Sequence, residues 1–161
     1  MSLNDWKTDR PLVVDSNTVL SGLVGGITRK LLLESDRKLQ YPAQSFDEIE
    51  RNRGVIQERS NLSATTIDTL LETIFKNISL VPKSQVIQYR EEAMTAKSPH
   101  PDANPERPFI ERDENDMVFL AATMAVDGDI WSDDGVFKHH THGHKYVKTS
   151  GTLIRLSAQR A

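Results

Sequence analysis

The sequence predicts an α/β fold, a three-layer α/β/α sandwich around a central, mainly parallel sheet, and three observations carry that expectation. Short apolar runs of strand length recur along the chain. They alternate with longer stretches whose apolar residues return every three or four positions, the period of a helix with one buried face. Carboxylates sit at the ends of two of the runs, Asp15 after the first and Asp134 after a late one. Strands separated by helices pair in parallel through right-handed crossovers, which place helices on both faces of the sheet.

The first run, Pro11 to Asp15, reads as a buried strand. Beyond it Leu20, Leu23, Val24, Ile27, Leu31 and Leu32 form one amphipathic stripe, which predicts a single helix weakened locally by Gly22, Gly25 and Gly26. Leu39 to Pro42 reads as a second strand. Ser45 to Arg59 reads as a polar helix with Ser45 as N-cap and Glu48 three residues on, the spacing of a capping box. Asn61 or Ser63 opens a helix carrying Ile67, Leu70, Leu71, Ile74 and Phe75, and Ile78 to Val81 is a strand stopped by Pro82. Ser84 to Lys97 reads as a further helix. Pro99, Pro101, Pro105 and Pro108 make residues 98–108 a surface loop, since proline removes a backbone donor and fixes φ. From Glu114 a strongly apolar helix runs to Gly128 as its stop signal, and it should be buried. Asp129 to Ser132 is a short strand, with Trp131 in the core; Lys145 to Lys148 and Thr149 to Leu156 read as a last strand and helix. The whole is expected to be one domain over residues 1–161, with its core in 11–156.

Composition narrows the chemistry. The chain has no cysteine, which removes disulfides, thiolate metal sites and thiol catalysis, so any metal must sit on oxygen or imidazole. No apolar run approaches the ~20 residues of a membrane span, and residues 1–10 lack the apolar stretch of a signal peptide, which makes the cytoplasm the expected location. Twenty basic against 23 acidic side chains give a net charge of −3, the opposite of a strongly basic footprint for phosphate backbones. Lys138, Lys145, Lys148, Arg155 and Arg160 concentrate positive charge near the C-terminus, which reads as a solvated surface.

The acids are the informative residues. In an open parallel sheet ligands bind outside the carboxyl ends of the strands, so Asp15 and Asp134 should face one cleft, and Asp116, in the first turn of the helix leading into the late strand, should approach it. Taken singly, each acid has a plain structural role available: Asp15 could cap the following helix, Asp113 and Asp116 could complement a helix dipole, and Asp133 or Asp134 could make the turn before Gly135. Taken together, clustered carboxylates repel one another unless a cation neutralises them, and an all-oxygen site points to Mg²⁺ or Mn²⁺.

Three stretches carry a family resemblance. Val13-Val14-Asp15-Ser16-Asn17-Thr18-Val19-Leu20 resembles the first motif of PIN domains, Asp113-Glu114-Asn115-Asp116-Met117-Val118-Phe119-Leu120-Ala121-Ala122 the third, and Ile130-Trp131-Ser132-Asp133-Asp134-Gly135-Val136-Phe137 the fourth. The second motif is weaker; Phe46-Asp47-Glu48-Ile49-Glu50-Arg51 offers Glu48, followed by an aliphatic residue as in the family, with Glu50 in reserve. The resemblance implies metal-dependent hydrolysis of RNA, as in VapC-type toxins, with Asp15, Glu48, Asp116 and Asp134 as catalytic acids. Asp15, Asp116 and Asp134 would hold Mg²⁺ or Mn²⁺, and Asn17, Ser132 and Asp113 would support them by hydrogen bonds. It also implies an RNA substrate, an antitoxin protein and a homodimer, for which the apolar helix Ile67 to Phe75 offers a patch.

Two other readings compete. Asp15-Ser16-Asn17-Thr18-Val19 approximates the Asp-x-Asp motif of haloacid-dehalogenase-like phosphatases, but Asn17 stands where that mechanism needs a proton-donating Asp. A catalytically silent PIN fold acting as a binding module would be expected to have lost the acids that this chain keeps. The histidines of His139-His140-Thr141-His142-Gly143-His144 lie in a glycine-containing segment without fixed ligand geometry and read as a surface loop. Arg51 and Arg53, near Glu48, read as solvated helix residues that could otherwise reach a substrate phosphate.

Overall fold

The first strand, β1 (Leu12–Val14), is fully buried and anchors the sheet. The computed structural model describes residues 10–35, 37–94, 114–132 and 146–147. Along the chain, β1 is followed by α1 (Ser16–Val24), α2 (Ile27–Glu34), β2 (Leu39–Pro42), a 3₁₀ turn (Ala43–Ser45), α3 (Phe46–Arg51) and α4 (Arg53–Ser60). Then come α5 (Ala64–Lys76), β3 (Ile78–Val81), α6 (Lys83–Gln88), α7 (Arg90–Met94), α8 (Glu114–Val126), β4 (Asp129–Trp131) and β5 (Tyr146–Val147). The strands form one sheet in the order β3-β2-β1-β4-β5, and every pairing is parallel.

That order divides the helices into two layers. The chain steps from β1 outward through β2 to β3, then returns past β1 to β4 and β5, and right-handed crossovers in opposite directions fall on opposite faces. The contacts agree: α1 packs on α2, α3, α4 and α5, whereas α8 packs on α6 and α7. The α/β/α sandwich expected from the alternation of elements is the fold observed. Its core joins Leu12, Val13 and Val14 to Val19, Leu23 and Ile67 on one side and to Met117, Leu120 and Ala121 of α8 on the other. Trp131 is fully buried, as its place on a central strand requires. Each such large apolar side chain contributes about 1.5–3 kcal/mol by leaving water.

Three of the expected helices are interrupted, each for a local reason. The stripe from Leu20 to Leu32 is broken at Gly25 and Gly26, whose φ angles of 136° and 79° leave the helical region. An apolar stripe that continues in phase on both sides of the break conceals it. The helix expected over Ser45 to Arg59 is instead α3 and α4 with a break at Asn52, and Ser45 makes no side-chain cap bond, so the capping box does not form. Residues 84–94 likewise divide at Tyr89 into α6 and α7. By contrast, Ser63 caps α5 as expected, accepting from Thr66 N at 3.2 Å. The apolar face of α5 is spent within the domain, for Ile67, Leu71 and Ile74 are buried and Leu70 and Phe75 pack against the core. Leu70 and Phe75 keep part of their surface exposed. Among the described residues no helix is long and apolar enough to cross a membrane. The proline-rich stretch 98–108, the histidine run, the basic residues near the C-terminus and the helix expected over 149–156 lie outside the described residues.

The helix α8 ends where Asp127 takes a φ of 50° and Gly128 N donates to Thr123 O at 3.0 Å. Gly128 is needed here for close approach rather than for the left-handed turn. Its neighbour Asp129 donates to Pro11 O at 2.8 Å to start the β1–β4 ladder, and a Cβ on Gly128 would stand 2.4 Å from that same carbonyl oxygen. Gly128→Ala must therefore displace backbone, and it is expected to lower stability by about 1–3 kcal/mol, the usual range for overpacking. A urea unfolding curve measures it.

Candidate functional site

The turning point of the strand order lies between β1 and β4, where the connections leave the sheet in opposite directions. Open α/β sheets bind ligands there, at the carboxyl ends of the strands. Register places Val14 opposite Trp131, and Asp15 N donates to Trp131 O at 3.2 Å, so Asp15 and Ser132 leave the sheet side by side.

Asp15 is 3% exposed. Its Oδ1 accepts from Thr18 N at 2.8 Å, which caps α1, and its Oδ2 accepts from Ser132 Oγ. The plain structural role of Asp15 is thus real, and it accompanies a second one: the same carboxylate is tied across to β4 at the carboxyl edge of the sheet. Ser132, fully buried, makes the hydrogen bond to Asp15 that its place in the sequence suggests. Asn17 is exposed in the first turn of α1, on the side that faces α4.

Tyr41, at the end of β2, is the member of this cluster that sequence reasoning missed. Its ring packs on Phe75 and Phe119, with centroids 5.6 Å and 5.7 Å away. The hydroxyl donates to Ser45 O at 2.8 Å and therefore accepts from Ser16 Oγ at 2.7 Å. Burial holds its pKa far above the ordinary tyrosine value; the hydrogen bond from Ser16 opposes this, and the negative charges of Glu48 and Asp15 add to it. Tyr41 thus stays protonated and serves as a fixed donor. Ser16, next to Asp15, and Ser45, three residues before Glu48, both hydrogen-bond this hydroxyl, so the segments that bear the two carboxylates meet at Tyr41. A polar aromatic closing a buried strand beside two acid-bearing helices was the available signal.

Glu48 lies half-buried in the first turn of α3, whereas Glu50 is exposed and pairs with Arg53 at 3.6 Å. Arg53 also pairs with Asp68, so its guanidinium is occupied on the outer surface. Asp116 is the third residue of α8. That helix feeds the amino end of β4 and so runs against the strands, which puts its first turn at the carboxyl edge; Phe119, one turn further on, touches Tyr41. Asp113 and Asp134 lie outside the described residues, Asp134 two positions after Ser132. Among the described residues no group of three acidic or histidine side chains stands close enough to hold an ion.

A second buried charge cluster, which sequence reasoning also missed, lies at the opposite edge of the sheet. Asp129 is fully buried and pairs with Arg37 at 2.9 Å and with Arg10 at 3.3 Å. Arg37 donates also to Arg10 O at 2.9 Å. These contacts join the entrances of β1 and β4 and have no part in the carboxyl-edge site.

A comparison with curated proteins gives no match. A family model for the PIN domain matches residues 13–154, which takes in Val13 and Val14 of β1 with Asp15, all of α8 and β4 with Ser132. With that match over most of its length, on a parallel sheet whose turning point holds a buried aspartate, the chain belongs to the PIN-domain family, a nuclease-type fold.

Proposed function

We propose that this chain is a metal-dependent endoribonuclease that hydrolyses RNA phosphodiester bonds, acts in the cytoplasm and serves as the VapC-like toxin of a toxin–antitoxin pair. The observation that carries the reading is Asp15. A carboxylate almost wholly removed from water, oriented by Thr18 N and Ser132 Oγ at the turning point of the sheet, is costly to bury, and a cation bound at this edge would offset that cost. Glu48 supports the reading by sharing Asp15's neighbourhood around Tyr41.

The donor chemistry suits a hard divalent cation: the side chains at this edge offer carboxylate and hydroxyl oxygen, and the chain has no sulfur ligand from cysteine. Asp15, Asp116 and Asp134 would hold Mg²⁺ or Mn²⁺, which supplies charge neutralisation at the phosphate and lowers the pKa of water. The remaining work falls to the protein. Ser132 and Thr18 N keep Asp15 in one orientation. Glu48 accepts a hydrogen bond from the attacking water and aligns it with the phosphorus. Tyr41 and Ser16 brace the floor beneath them. Asn17 and Asp113 lend hydrogen bonds at the rim.

The test sets a pooled cellular RNA with Mn²⁺ against the same mixture with chelator, and both against a chromogenic phosphomonoester. The proposal expects cuts within the RNA that disappear in chelator, with the phosphomonoester untouched. RNA left intact in Mn²⁺, or a preference for the phosphomonoester, would refute it.

A further inference from the structure

Two helices that pack on each other, α1 and α4, leave a groove open along their exposed side. On α1, Asn17, Leu20 and Val24 fall at helical spacing on one face; on α4 and the turn before it, Asn52, Val55 and Arg59 do the same, and the two faces enclose a groove of about 490 Å³. This lies within the roughly 300–1,000 Å³ of small-molecule sites. The groove begins beside the segments that bear Asp15 and Glu48. Asn17 is two residues beyond Asp15, and Asn52 donates through Nδ2 to Glu48 O at 2.6 Å, so each rim amide is tied to a segment bearing one of the acids.

The lining distinguishes between occupants. Val24 and Val55 are 38% and 47% exposed, giving the groove aliphatic walls. Its one charged lining residue is Arg59, which is exposed and pairs with no carboxylate among the described residues. A second copy of the chain or an apolar helix would cover the valines but would bury the Arg59 guanidinium without an opposite charge, and a buried charge without a partner is costly. A nucleotide satisfies all of them: the flat base against the valines, its polar edge on the amides, its phosphate on the guanidinium. From Asn17 to Val24 is seven residues of helix, ~10 Å at 1.5 Å per residue, which gives room for one such unit.

We infer that the groove between α1 and α4 is a subsite for one nucleotide of single-stranded RNA beside the bond that is cut, with Arg59 holding its phosphate and Asn17 and Asn52 reading its base. This rests on the ribonuclease reading. The experiment measures fluorescence anisotropy of a labelled, random-sequence single-stranded RNA hexamer with the full chain carrying Asp15→Asn, so that no cleavage intervenes. Arg59→Glu and Val55→Glu, both at exposed positions, are each expected to weaken binding at least tenfold, and Glu72→Gln on the exposed face of α5 to leave it within twofold. In the otherwise unaltered chain, Asn52→Ala should flatten the base preference at one position beside the mapped cut. Hexamer binding unchanged by both charge substitutions overturns the inference. So does Val55→Glu turning a dimer into a monomer by light scattering with RNA binding intact, which would make the groove a contact between copies. If the hexamer behaves as expected but the unaltered chain cuts no RNA with Mn²⁺, the subsite stands and the cleavage chemistry falls.

Discussion

Asp15→Asn removes RNA cleavage while leaving the fold standing. The substitution is close to isosteric, and asparagine caps a helix as well as aspartate does, so Thr18 N keeps its acceptor and α1 its start. What is lost is the negative charge at the carboxyl ends of β1 and β4, and with it the affinity of the acidic set for a divalent ion. Removing one preorganised electrostatic contact typically costs about 10²–10³ in rate. A loss at least that large is expected in initial rates on a defined RNA with Mn²⁺, with a thermal melt close to that of the unaltered chain. Ser132→Ala, which keeps the charge and removes only the hydroxyl that orients it, should give the milder loss of about 10–100-fold typical of residues that support a metal ligand. Equal cleavage by the Asp15 variant would leave that residue as a helix cap and nothing more.

The largest effect on stability is expected at the other edge of the sheet. The side chains of Arg37 and Asp129 are 2% and 0% exposed, and their ion pair is bound up with the Arg10 carbonyl and the Arg10 side chain. Removing one partner leaves the other charged and buried, which costs about 3–5 kcal/mol. Arg37→Ala should therefore lower the melting temperature by roughly 6–20 °C for a domain of this size. Arg37→Lys should fail to restore it, because a single ammonium cannot reach Asp129 and the Arg10 carbonyl together as the guanidinium fork does. The double replacement Arg37→Leu with Asp129→Leu removes both charges and is expected to recover part of the loss, since Arg10 is 39% exposed in its side chain and can turn to solvent. Calorimetry on the four proteins measures these differences. A single-variant melt within two degrees of the parent would show that the pair carries no stability.

These two edges differ in how far they could be read in advance. Asp15 and Ser132 announced themselves because strand ends are visible as the limits of apolar runs, and the topology of a parallel sheet then dictates that adjacent carboxyl ends meet. Arg37 and Asp129 gave no such sign. They are 92 residues apart, and a charged residue at the start of a strand looks like any solvated loop position until the sheet brings β1 and β4 together. Tyr41 was hidden differently, since a tyrosine on a buried strand is ordinary core, and only the hydroxyl's partners Ser16 and Ser45 reveal it as part of the site. The strands and most helices were legible from periodicity alone. The breaks at Gly25 and Asn52 were not: the apolar stripe runs through the first, and the second falls in a polar stretch, at an asparagine with no glycine or proline adjacent to mark it. The choice of Glu48 over Glu50 rested on one neighbouring isoleucine; the fold adds that Glu50 faces Arg53 while Glu48 acts on Tyr41.

The account depends on acids from distant parts of the chain sharing one cation, and crystals soaked in Mn²⁺ test this most directly through anomalous scattering. The expected result is a peak within about 2.5 Å of an Asp15 carboxylate oxygen, with Asp116 and Asp134 completing the shell directly or through water. A peak elsewhere on the molecule, or these carboxylates standing too far apart to share an ion, would contradict it.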